Sequence, residues 1–231
     1  MILPFVFAWL VHFYTALGAV AAFVAMLLIE DGRFREAFWV MMAAVAIDAS
    51  DGTFARAARV KERLPQFDGD RLEDIVDYAN YVVVPSLLVV RANLLPPEDA
   101  LWLASLPLIA SAYGFCQKEA KTADNFFLGF PSYWNIVALY LYVLATPPWL
   151  NAFIIILLSV LVFVPIRYVY PSRTRHFPML TNGLAILWGL ALLLIIYMLP
   201  TPPRALVFAS LLFPAYYIGL SLWLEYRRLR S

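Results

Sequence analysis

The chain has 231 residues, 63% of them apolar and 14% charged, against about 25% charged in an ordinary soluble domain. With a mean hydropathy of +0.76, it has too little polar surface to coat a water-soluble fold of this size, and lipid is the expected solvent for much of the rest. The net charge of +1 offers no electrostatic case for nucleic acid, and the single cysteine, Cys116, excludes an intrachain disulfide.

A membrane-spanning helix takes about 20 predominantly apolar residues. By that measure the chain reads as all-α, a polytopic membrane helix bundle of about eight spans. They lie near residues 3–29, 35–58, 71–94, 99–116, 127–147, 149–169, 178–199 and 203–225. The N-terminus lacks a basic stretch and its apolar run is too long for a signal peptide, so it reads as a retained span. Turn signals stand at Pro96-Pro97, Pro147-Pro148, Pro171 and Pro202-Pro203. No linker or low-complexity tract divides the chain, so 1–231 reads as a single domain.

The basic residues are unevenly placed. Arg56, Arg59, Lys61, Arg63, Arg71, Lys118, Lys121, Arg167, Arg173, Arg175, Arg227, Arg228 and Arg230 fall on one face of that topology; Arg33, Arg35, Arg91 and Arg204 fall on the other. The bias predicts that both termini and the 56–71 segment are cytoplasmic.

Half of the 16 acidic residues lie between 48 and 77, some within predicted spans. An ionised carboxylate at mid-bilayer costs about 2.5–3.5 kcal/mol, so a group of them needs partners or cations. Asp48, Asp51, Gly52, Ala55 and Arg56 share one helix face, and Glu73 and Asp77 are one turn apart on the next helix. With the intervening segment turning the chain back, the two acidic faces are expected to meet. Hard divalent cations such as Mg²⁺ or Mn²⁺ suit such oxygen clusters, and with two distant histidines, His12 and His176, a histidine-rich site is not expected. Asp68 and Asp70 read as ordinary loop charges, and His12, Cys116 and His176 have no assigned role.

The stretch Asp48-x-x-Asp51-Gly52-x-x-Ala55-Arg56, followed by Gly69-x-x-x-Glu73-x-x-x-Asp77, resembles the signature of the CDP-alcohol phosphotransferases, D-x2-D-G-x2-A-R then G-x3-D-x3-D. Seven of the eight fixed positions match. Glu73 stands where the family has Asp, and the spacer before Gly69 is longer than usual. That insert, together with Ile75-Val76-Asp77-Tyr78, Phe130-Pro131, Trp134-Asn135 and Val164-Pro165-Ile166, resembles the bacterial branch of the family that uses choline.

The resemblance implies transfer of a phosphatidyl group from CDP-diacylglycerol to an alcohol, with release of CMP, in the bacterial inner membrane with the site facing the cytoplasm. It implies that Asp48, Asp51, Glu73 and Asp77 hold Mn²⁺ or Mg²⁺, that Gly52, Ala55, Arg56 and Gly69 line the nucleotide side, and that Asp77 is also the general base. Asp74 points about 100° away from Glu73 on an ideal helix, so Glu73 is the expected third acid. The resemblance also implies a homodimer.

Choline carries a quaternary ammonium, which aromatic faces hold well. Tyr78, Tyr81, Tyr113, Phe126, Phe127, Phe130, Tyr133, Trp134, Tyr168 and Tyr170 cluster near the cytoplasmic ends of the spans, where an interfacial belt also places aromatics. Tyr78, Tyr81, Tyr113 and Trp134 are the chosen cage residues, with Asp124 as an anionic wall or simple loop. Lys118, Lys121, Arg167 and Arg173 are placed either for substrate phosphates or by the positive-inside bias. Two alternatives stay open: another acceptor, such as inositol, serine or a polyol phosphate, and a cation transporter in which the acids form an ion path.

Overall fold

A computed structural model describes residues 3–117, 120, 122, 124, 126–171, 174 and 176–230. The chain is a membrane helix bundle. Helix α1 (Leu3–Glu30) runs beside α2 (Phe34–Ala57), and a short α3 (Val60–Arg63) leads to α4 (Gly69–Tyr78). A π-helical turn, Ala79–Val83, joins α4 directly to α5 (Val84–Arg91). Then come α6 (Ala100–Phe115), β1 (Phe126–Leu128), α7 (Trp134–Leu144), α8 (Pro148–Phe163), β2 (Arg167–Val169), α9 (Pro178–Tyr197), α10 (Arg204–Ser210) and α11 (Leu212–Arg230).

The bundle is packed the way lipid-facing helices are. Along α1 the buried seam is Ala8, Val11, His12, Thr15, Gly18, Ala22, Ala25 and Ile29, mostly small and, apart from the adjacent Val11 and His12, spaced by three or four residues. The other face exposes Leu10, Phe13, Leu17, Phe23, Val24 and Leu27. Small side chains let helix backbones approach, and large apolar ones turn outward when the solvent is itself apolar. Gly18 marks the tightest point: a methyl there would lie 2.4 Å from Val76 Cγ1, so only glycine admits α4. The main core gathers Ile29, Phe38, Val84, Leu88, Leu139, Ile155, Leu192 and Ile195 from six helices, and a smaller one under α3 joins Ala8, Val11, Ala58, Val60 and Leu64.

Three helical stretches are long and apolar enough to cross a bilayer by composition: Leu3–Glu30, Pro178–Tyr197 and Arg204–Arg230. Ala100–Phe115, Trp134–Leu144 and Pro148–Phe163 are apolar but shorter. The predicted spans at 127–147 and 149–169 are too long at one end each. Residues Phe126–Leu128 pair antiparallel with Arg167–Val169, Phe127 opposite Tyr168, so a small hairpin replaces helix there. Pro131 and Pro165 lack the N–H a continuing helix needs. Gly129 has φ +80°, and a side chain on it would run into the Val162 carbonyl at 2.3 Å, so the chain leaves the helical path at that glycine.

The π turn also has a local cause. Pro85 cannot donate back to residue 81, and its ring crowds that carbonyl, so the ladder widens just ahead of it. This places Tyr81 on the side of α2, one turn beyond Asp77.

Candidate metal centre

Helices α2 and α4 bring their acidic faces together. Asp48, Glu73 and Asp77 each offer a carboxylate oxygen, and the three oxygens lie within 4.8 Å of one another. All three residues are partly buried. Two oxygens on opposite sides of a Mg²⁺-sized ion stand about 4.2 Å apart, twice a bond length of about 2.1 Å. Oxygens on adjacent sides of such an ion stand closer, about 3.0 Å apart, so the three carboxylates bracket the space of one ion and would close around it. The donor set agrees: three hard, anionic oxygens whose mutual repulsion a divalent cation relieves. Glu73, and not Asp74, is the acid of α4's first half that faces Asp48.

Asp51 lies outside that group of three. It is buried, and its Oδ2 accepts a 2.8 Å hydrogen bond from Thr15 Oγ1 of α1. Thr15 is a residue that the motif does not mark; its place on the small-residue seam of α1 was the available signal. Tyr81 Oη donates to Asp48 Oδ2 at 2.7 Å, so the π turn supplies an orienting contact to the triad.

The small residues of the motif divide by role. A methyl on Gly52 would meet only Arg56 Nη1, at 3.4 Å, so Gly52 leaves open space on the acidic face. Ala55 packs against the smaller core. Arg56 is exposed, with Nη2 donating to Thr53 Oγ1 at 3.0 Å. Gly69 begins α4 hard against α1: a Cβ would sit 2.6 Å from His12 Cε1. His12, without an assigned role in the sequence, is thus the surface on which α4 seats, wedged between Trp9 and Phe67. Its Nε2 is buried without a hydrogen-bond partner.

The loop acids are structural. Asp68 caps α4, its Oδ1 accepting from the Arg71 N–H at 3.0 Å, and Asp70 pairs with Lys61 at 2.7 Å. That pairing raises the Lys61 ammonium above its usual range. Asp124 pairs with Arg167 at 2.7 Å across the hairpin. A hydrogen bond from Thr122, and then the Arg167 charge, hold its carboxyl below the usual carboxylate range. Lys118, Lys121 and Arg173 lie outside the described residues.

Of the four expected cage residues, only Tyr81 stands at the acids. Tyr78 Oη donates to the Leu108 carbonyl at 2.8 Å. Trp134 is buried in the core with Nε1 on Ser111 Oγ. Tyr113 is half exposed and packs on Phe163. Tyr78 and Tyr113 follow the faces of their helices away from the triad, a direction that position near a span's end does not determine.

No family model matches the chain. Among curated proteins it is 42% identical to a phosphatidylcholine synthase of Legionella bozemanae, over 82% of this chain and 91% of that protein. It is 38% identical to the phosphatidylcholine synthase of Legionella pneumophila, over 95% and 89%, and 35% identical to that of Pseudomonas aeruginosa, over 94% and 91%.

Proposed function

Since the chain belongs to the phosphatidylcholine synthase family, we propose that it transfers the phosphatidyl group of CDP-diacylglycerol to choline, giving phosphatidylcholine and CMP. The observation that carries the reading is the convergence of Asp48, Glu73 and Asp77 from two helices, set in a membrane bundle that keeps its lipid substrate at hand. The fuller topology of about eight spans, with termini and site on the cytoplasmic side of a bacterial inner membrane, belongs to the same proposal, as does a homodimer.

In this reading Asp48, Glu73 and Asp77, with Asp51 beside them, hold one or two Mn²⁺ or Mg²⁺ ions. When bound, such ions neutralise the charge of the diphosphate. Gly52 leaves room for the nucleotide to approach the helix, and exposed Arg56 extends a cation toward its phosphates. Ala55 and Gly69 let the helices that frame this side pack closely. Asp77 takes the proton from the choline hydroxyl, whose oxygen then attacks the phosphorus that bears diacylglycerol. The bond from that phosphorus to the bridging oxygen breaks, and CMP leaves with the electron pair.

The test is direct. Membranes containing the protein are given CDP-diacylglycerol, Mn²⁺ and one radiolabelled alcohol at a time. CMP release that requires both choline and the metal is the expected result; release with inositol, serine or a polyol phosphate instead would move the acceptor. No release with any alcohol would favour an ion path through the acids.

A further inference from the structure

Resting on the choline reading, we propose that the trimethylammonium group is received by an aromatic corner built from Tyr81, Phe127, Tyr133, Tyr170 and Tyr217, with Tyr133 at its centre. These rings come from the π turn, β1, the start of α7, the residue after β2 and α11. No helix periodicity relates them; the hairpin brings them together. Phe127 lies 6.3 Å from Tyr133 at 85° and 4.6 Å from Tyr170 at 30°. Tyr217 lies 6.5 Å from Tyr133 at 62°.

Two features distinguish this corner from ordinary aromatic packing. First, it adjoins the acids. Tyr81 Oη donates to Asp48 Oδ2 at 2.7 Å. A cation there feels aromatic faces and carboxylates together. Second, Tyr217 Oη is buried without a hydrogen-bond partner. A buried hydroxyl left so is costly, and its oxygen suits the polarised methyl groups of an ammonium that has no N–H to offer. The chemistry also matches choline's shape. Its ammonium is two carbons from the hydroxyl that Asp77 would deprotonate, so the cation must rest close beside that carboxylate.

The decisive measurement uses the intact enzyme in membranes and compares choline with its neutral carbon isostere, in which a tert-butyl group replaces trimethylammonium. The isostere should be used with kcat/KM lower by about thirty-fold, as a desolvated cation–π site requires; equal use of both would overturn the proposal. Tyr133→Leu should raise KM for choline about ten-fold, while KM for CDP-diacylglycerol stays within about two-fold, and Tyr133→Phe, which keeps the ring, should stay near wild type. An unchanged choline KM in both Tyr133→Leu and Tyr217→Leu would overturn it as well. Calorimetric titration of the purified protein with tetramethylammonium reads the corner apart from turnover. Binding that Tyr133→Leu weakens supports the corner even where choline yields no CMP, a result that sinks only the proposed acceptor; no binding removes the corner.

Discussion

The rod 69–91 meets charge in opposite ways at its two ends. At its far end Arg91 lies 2.7 Å from Glu30 of α1, and both side chains are about half exposed. Near its start, Glu73 and Asp77 face Asp48, three groups of one sign within 4.8 Å. At the first end cation and anion come from the same chain, and an exposed pair of this kind contributes little. The second gathers like charges in a partly buried place, which folding alone does not favour. The contrast sets an ion pair that ties two helices together against a gathering of acids that, in the proposed reading, holds a metal ion.

Replacing each end should break the protein in different ways. The largest effect is expected from Asp77→Asn, which keeps the shape and removes the proposed base; CMP formation should fall by about 10²–10⁴-fold, while CDP-diacylglycerol binding, measured with labelled lipid, persists. Normal turnover would refute the base assignment. Next, Glu73→Ala should lower activity by about 10–100-fold and raise the Mn²⁺ concentration needed for half-maximal rate, with Glu73→Asp retaining most activity. A loss of rate with no change in metal requirement would remove Glu73 from the ion.

A third substitution probes packing rather than chemistry. Gly69→Ala drives a methyl into His12 and should destabilise by about 1–3 kcal/mol, read as a lower midpoint of thermal unfolding in detergent. The double variant with His12→Ala should recover part of that loss, as contacting residues do. The smallest effect belongs to the opposite end. Glu30→Ala or Arg91→Ala should cost no more than about 1 kcal/mol and leave the rate of CMP release unaltered; a large loss of activity there would erase the distinction between the two ends.

Much of the site was legible because its parts are local. The i, i+3, i+4 spacing of Asp48, Asp51 and Gly52, and the i, i+4 spacing of Glu73 and Asp77, place them on helix faces before any tertiary contact forms. Asp51 shows the limit: spacing puts it on the acidic face, yet α1 reaches that residue through Thr15. The aromatic cage shows a deeper one. Tyr78, Tyr113 and Trp134 share with Tyr81 a position near the ends of spans, but three of the four are turned into packing. Tyr217 was outside the sequence-based set of candidates altogether, because α11 is distant in the chain and only the hairpin brings β2 against it.

From the amino-acid order alone came the membrane bundle, the bounds of α2 and the carboxylate pattern, since hydropathy and helical period act over one or two turns. The folded chain alone decided which acids share a centre, that Gly69 answers to His12, and which rings meet beside Asp48. Those are contacts between segments far apart in sequence, and their partners are chosen by shape and by the interruptions at Gly129, Pro131 and Pro165, which local propensity marks as breaks without saying where the chain goes next.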